Sequence, residues 1–525
     1  MRKLVSFWDS VFLYKDQAMR FVPAIVLLLA APLQAELRLS ALTEGQVGNL
    51  PGAQPSDLRT LYHQFSLDYA IADFQVGVRG ETFGASATNR NYGQFLQRSA
   101  SYRRSGFEAT VGNFYTIVGS GLLLHAFELP GVVTESRGSR RRYQIVRDLD
   151  GVQMRYRAKR AEVLLLRGAP INSNLPPGLE GVERRPDVLH AGSLQLKPHL
   201  HFDVGVSAIR YPAGRRQETA AAFNARWRLT PLLARLGLTG VYADLQGEYA
   251  QRDVAFDRFF SLDRDLGRAL YLAATLASGP WGLSLEYKDY EDFALEHINN
   301  PPPLIREHSA YLLNRITHDV LADDEQGYQA ELSYVLPSGQ TLTANATRAT
   351  RRRDSGAADD NVLREFFVQM DSPLGQRADV QLFADFSHNQ ILLDDKSRLL
   401  GTHWEWLPDG SYAFEFDAQF QDVDRRFGDL ALPYTNHYYA LAIHRAPGLS
   451  AAVQIQRTSD ELETGADPSG ITWWRGLNIG ADIGEGHILN VFAGQRRSGL
   501  ACTAGICYEV LGFKGVEVRL LNRFF

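Results

Sequence analysis

The sequence predicts an all-β protein, one large transmembrane antiparallel β-barrel of about 20–24 strands with long external loops. Three observations carry that expectation. Apolar and polar residues alternate with a period of two along most of the chain. Tight turns alternate with long polar connections. No apolar run matches the one from Phe21 to Ala31, which itself falls short of the roughly 20 residues a spanning helix needs. A chain that meets a membrane without such a helix must cross it as strands.

From the N-terminus, the apolar run behind Met19 and Arg20, followed by Pro32, Leu33, Gln34 and Ala35, reads as a secretory signal cleaved after Ala35. Trp8, Asp9, Lys15 and Asp16 fit no part of a signal, so Met19 is the expected natural start; the competing reading of the apolar run itself is a short N-terminal anchor helix. The expected organisation is an extension and signal over 1–35, a short N-terminal segment over 36–58, and the barrel over 59–525.

The strands show themselves by their two faces. Phe202, Val204, Val206 and Ala208 share one face, as do Trp281, Leu283, Leu285 and Tyr287 against Ser284, Glu286 and Lys288. Tyr328, Ala330, Leu332 and Tyr334 oppose Gln329, Glu331 and Ser333; Val380, Leu382, Ala384 and Phe386 repeat the pattern. It is cleanest in Tyr412, Phe414, Phe416, Ala418 and Phe420 against Ala413, Glu415, Asp417, Gln419 and Gln421. Hairpin turns are expected at 336–340, 407–411, 446–449 and 483–487, and long loops at 128–148, 169–186, 289–326 and 494–513.

A soluble sandwich or propeller has one buried face and the same period. The long charged faces, which suit a wet lumen, and the aromatic ends of the apolar faces favour the membrane. Trp404 with Trp406, Trp473 with Trp474, and Tyr438 with Tyr439 are candidates for the interfacial belts. The last segment alternates best when keyed on Phe524 and ends in an aromatic, resembling the C-terminal signal of outer-membrane barrels.

The formal charge, 55 − 60 = −5, gives no reason to expect nucleic acid as a partner. Two cysteines are too few for a disulfide scaffold or a thiolate zinc site. Cys502 and Cys507 lie before the final strand, where export to an oxidising compartment favours a small disulfide loop over two free thiols.

Three stretches resemble a poorly characterised family of exported Gram-negative outer-membrane barrels. They are Val111–Tyr115 leading to Gly119–Leu124 and Asp150–Tyr156, then Pro301–His308 with Leu312–Arg315 and Gly327–Leu332, and Cys502–Cys507. The resemblance implies fold and location, with no established activity.

Gly119 and Gly121 suit a kink or a close backbone approach rather than a phosphate cradle, because no helix follows. Leu304, Ile305, His308, Tyr311, Leu312 and Arg315 fall at helical spacing after a proline run. That suggests a short helix or ordered segment of a long external loop, folded into the lumen. Arg306, Glu307, His308, Arg315 and His318 would then line a constriction, or else pair only among themselves. Glu286, Lys288, Glu331, Glu405, Glu415 and Asp417 are expected to face the lumen, and Arg137, Arg140, Arg141 and Arg142 to form a solvated basic loop, with binding of acidic lipid sugars or anionic solutes as the alternative.

No nucleophile elbow, zinc-binding HExxH or calcium loop occurs. His201, His403, His437 and His444 lie on expected strands. The function expected is a porin-like channel or solute-binding barrel working by passive diffusion, not an enzyme and without cofactor. Its partners would be outer-membrane lipid, the barrel assembly machinery and a small solute. A surface-attachment or assembly platform, and less so a hydrolase, are the alternatives.

Overall fold

A computed structural model of the chain describes residues 35–524 except 87–90, 172–187, 214–215, 253–266, 296–297, 303–307, 316–323, 352–361, 391–393, 465–471 and 504–505; the side chains of 35, 212–213, 216, 502–503 and 506–507 are also outside the description. The expected signal and start site therefore lie outside the described residues.

Twenty-four strands form a single antiparallel sheet that closes on itself. Each pairs with its neighbour in sequence around the wall, and the last strand, Phe513–Phe524, returns to the first, Ala35–Asn49, with Leu39 opposite Phe524 and Val47 opposite Val516. Closure removes both sheet edges, so the backbone groups of the paired wall are satisfied between strands rather than by water. The strand Ala35–Asn49 corrects the expected boundary at residue 59, since it pairs on both sides and is a full stave of the barrel. Its outer face carries Leu39, Ala41, Thr43, Gly45 and Val47, too weakly apolar for the alternation to stand out.

The outer surface is a continuous apolar coat. Val111 is 57 % exposed, Leu165 58 %, Leu400 62 % and Leu441 60 %, values that only lipid makes tolerable over a whole closed wall. Trp404, Trp406 and Trp473 stand on this face. Trp474 and Tyr438 do not; both are buried on the inner side. The reason is elementary, because successive side chains of a strand leave on opposite faces, so only one residue of each adjacent pair can reach lipid. In the final strand Val516, Val518 and Phe524 face out and Glu517 and Arg519 face in, as the Phe524 register requires.

The two ends of the barrel differ. The short connections at 72–73, 105–106, 279–280, 336–340, 374–377, 446–448 and 483–486 share one end with both ends of the described chain. The opposite end carries the long segments 115–148, 292–323 and 497–512. In barrels of this class the short turns face the periplasm and the long loops the exterior. All three apolar clusters lie inside the barrel, on the long-loop side.

Candidate functional site: the lumen and its inward-folded loops

The inner wall near the short turns is polar and wet. Register puts His403 opposite Asp417 and His444 opposite Ala413. His403 Nδ1 lies 3.8 Å from Asp417 Oδ2 and His444 Nε2 lies 3.1 Å from Glu415 Oε1, with side chains 24–43 % exposed. Glu405 shares this face, one strand position from Trp404 and Trp406 on the other. Deeper in, Glu286 accepts a bond from Tyr271 Oη at 3.0 Å and Glu331 one from Asn345 Nδ2 at 3.3 Å. Lys288 is fully buried against an equally buried Glu325, with the Tyr290 ring centroid 5.5 Å from its ammonium. The lumen is therefore wet at one end and narrowed by buried side chains further in.

The narrowing is made by the protein's own loops. Residues 116–126, 293–295 and 298–302 fold into the lumen together. His125 N donates to Ile298 O at 3.0 Å and Asn299 Nδ2 to Leu122 O at 3.0 Å, while Leu122, Leu123, Leu124, Phe293 and Leu295 are essentially inaccessible against inward-facing wall residues such as Tyr211, Tyr271 and Tyr290. Gly119 has φ +66° beside the Glu248 carboxylate, which accepts the Ser120 amide; a side chain at 119 would meet that carboxylate.

A second insert is the hairpin Phe127–Glu135 with Arg142–Arg147. Its Val133 and Tyr143 pack on Leu42, Tyr62, Phe83 and Tyr92 of the wall. Arg142 reaches Glu44 at 2.9 Å and Glu517 at 3.3 Å, and Tyr92 Oη donates to the Arg142 carbonyl at 2.6 Å. The basic run is thus not a solvated loop. Alternation along Arg142–Arg147 turns Arg142 onto carboxylates of the first and last strands, and Arg140 is buried against Glu135 and Asn49. Arg137 is exposed and pairs with Glu509.

The third insert holds His308 and Arg315. Tyr311 stacks on Tyr438 with centroids 4.3 Å apart and planes 7° from parallel, and Gln456 Nε2 donates to its hydroxyl at 2.8 Å. Leu312 N donates to Gln419 Oε1 at 2.9 Å, and Leu312 and Leu313 are buried against Phe367, Phe383 and Leu399. A single 3-10 turn spans Leu313–Arg315 where helical spacing was expected. Arg315 donates to Tyr311 Oη at 2.5 Å and to Arg497 O at 3.0 Å, tying this insert to the next loop. Burial lowers the Arg315 pKa from its ordinary value, against the opposing pull of Tyr311.

His308 is buried, with Nε2 2.8 Å from Glu365 Oε1 of the wall strand Val362–Pro373. Asp385, on the neighbouring strand Ala378–Asn389, completes a buried trio whose donor atoms lie within 4.8 Å of one another. Glu365 and Asp385 were absent from the sequence reading. One signal pointed to them: Phe367 and Phe383 sit on the otherwise polar inner faces, and an aromatic residue there marks a patch of wall covered by something apolar.

Of the expected constriction, Arg306, Glu307 and His318 lie outside the described residues, and His308 and Arg315 are built into the third insert rather than lining an open ring. Backbone register sets Cys502 opposite Cys507, but their side chains, and with them the expected disulfide, lie outside the described ones. His201 sits in a turn rather than a strand, and His437 faces outward beside Phe420 and Tyr439.

Residues 53–350, more than half of the chain, match the sequence profile of a family described as of unknown function, DUF6029. No curated protein matches. Among solved structures, a chain of the E. coli P pilus tip assembly intermediate PapC-PapD-PapK-PapG superposes with a TM-score of 0.51 at 12 % identity, over 93 % of this chain and 60 % of that one. Acinetobacter baumannii OccAB1 gives 0.39 at 14 % identity over 68 % and 91 % of the two chains, and the Pseudomonas aeruginosa siderophore receptor PirA 0.45 at 11 % over 93 % and 80 %. At such identities the first of these speaks to the barrel fold alone.

Proposed function

The chain belongs to the family of unknown function DUF6029, and because that family brings no activity with it, we propose from the lumen alone that the protein is a porin-like channel passing small solutes by passive diffusion. It is exported by its N-terminal signal, inserted by the barrel assembly machinery and embedded in the lipid of the Gram-negative outer membrane. The observation that carries this reading is the division of the lumen: a wet, charged inner wall around Glu405, Glu415 and Asp417, narrowed at the outer end by segments of loop rather than by wall. Charged groups on a wide polar wall select by charge, and loops set the size limit. The reading assigns no catalytic step and no cofactor.

A platform role has one observation in its favour. The second insert is pinned by buried charges, Arg142 on Glu44 and Glu517. Planar-bilayer recording separates the two readings. Folded wild-type protein should give discrete conductance steps, and a variant with 127–147 replaced by a short linker should give larger ones. A folded barrel silent in both forms defeats the channel.

A further inference from the structure

We infer that His308, Glu365 and Asp385 form a site for a divalent metal ion of the zinc and manganese class, which fastens the third insert to the barrel wall. The three side chains come from three separate parts of the chain, His308 from the insert and the two carboxylates from adjacent strands, and all three are buried, Asp385 completely. Both Asp385 carboxylate oxygens, Glu365 Oε2 and His308 Nδ1 are buried without a partner at full hydrogen-bond geometry, the Ser387 hydroxyl and the Phe386 amide being the donors beside Asp385.

Asp385 stands in register with Phe367 on one side and Leu399 on the other, so neither cross-strand neighbour offers it a donor. The Phe367 ring also lies 4.6 Å from that of His308, walling the site with hydrocarbon. Two carboxylates held in such surroundings are strongly disfavoured unless a cation balances them. A protonated imidazole supplies one positive charge at most. A divalent ion supplies two and takes up the unpartnered lone pairs at the same time.

The donor set narrows the ion. One imidazole nitrogen with two carboxylate oxygens is the ligand mixture favoured by zinc, manganese and ferrous iron. Calcium calls for six to eight oxygens and magnesium for a largely hydrated octahedron, which a site packed by Phe367 and Leu399 does not provide. The consequence is mechanical: the ion would join insert and wall whether or not the lumen conducts.

The test uses full-length protein purified in detergent, stripped with chelator and titrated with Zn2+ alone and with Mn2+ alone, with bound metal counted by elemental analysis. Wild type should retain one equivalent of at least one of these ions per chain. Asp385→Asn combined with Glu365→Gln should weaken binding at least tenfold, and His308→Asn on the insert should do so independently of any folding effect in the wall. Glu415→Gln, in the wet lumen, should bind as wild type does. Folding of each variant is read from its altered gel migration on boiling. Binding equal in wild type and His308→Asn, or no retained metal in folded wild type, overturns the site and leaves a proton shared between Asp385 and Glu365 as the means of neutralising it. Silent bilayers with normal metal binding would defeat the channel and not the metal site.

Discussion

Replacing Arg142 by Met should release the second insert from the wall. The Arg142 side chain is 6 % exposed and faces Glu44 at 1 % and Glu517 at 14 %, so none of the three is screened by bulk water. Removing the cation leaves two carboxylates with diminished compensation, Arg519 still facing Glu44 at 3.3 Å and Arg496 facing Glu517 at 3.5 Å. Breaking a buried pair on one side costs about 3–5 kcal/mol. Against this stand the apolar seat of Val133 and Tyr143, about 1.5–3 kcal/mol for each side chain if fully buried, and the Tyr92 bond to the Arg142 carbonyl, about 1 kcal/mol. The charge term is comparable to the apolar seat and the Tyr92 bond together, so the substitution should raise the undocked population by about two to three and a half orders of magnitude. Hydrogen exchange across Phe127–Glu135 and Arg142–Arg147 in the folded barrel reads this directly, as a matching loss of protection with the wall strands unchanged. Adding Glu44→Gln and Glu517→Gln to Arg142→Met should restore most of the protection, since the uncompensated charges go with the cation. Exchange within about threefold of wild type in the single variant would refute the reasoning, because it would mean the ion pairs contribute nothing net to docking.

Tyr311→Phe keeps the stack on Tyr438 and loses the bonds to Arg315 and Gln456, at about 0.5–1.5 kcal/mol each. Tyr311→Ala should cost more, through the lost ring contact, and the order of the two denaturant midpoints checks it. A chain retaining only Trp473 should be quenched by brominated lipid and one retaining only Trp474 should not, since the first is 44 % exposed to lipid and the second 8 % exposed on the inner face. An epitope inserted in the turn 336–340 should be hidden from antibody on intact cells, while one in the hairpin of Gly499–Thr503 and Ile506–Val510 should be reached; the reverse pattern inverts the assigned orientation. Gly119→Val should lower the yield of folded barrel, because φ +66° disfavours a branched residue and the Glu248 carboxylate occupies the space it needs.

The fold was legible because barrel strands announce themselves locally. Tyr412–Phe427 and Trp281–Glu291 carry lipid on one face and water or protein on the other, and period two records that without reference to any distant residue. Where one face is weakly marked the signal fails. Residues 36–58 read as a short N-terminal segment ahead of the barrel because Ala41, Thr43 and Gly45 stand where larger apolar residues would be expected. The paired aromatics failed for a different reason, residue type having been read where parity decides the face.

The sequence by itself determined the two-faced strands, the short turns at one end and long loops at the other, and hence a membrane barrel of about this size, because all of these depend on residues one, two or a few positions apart. Only the tertiary structure decided what fills the barrel. Whether an inward carboxylate is wet, as Glu415 is, or sealed, as Asp385 is, depends on which loop lies over it, and that loop can be anywhere in the chain: His308 is 57 residues from Glu365, and Arg142 is 375 from Glu517. Alternation states which way a side chain points and is silent about what it meets, since the contact is made across the lumen and not along the strand.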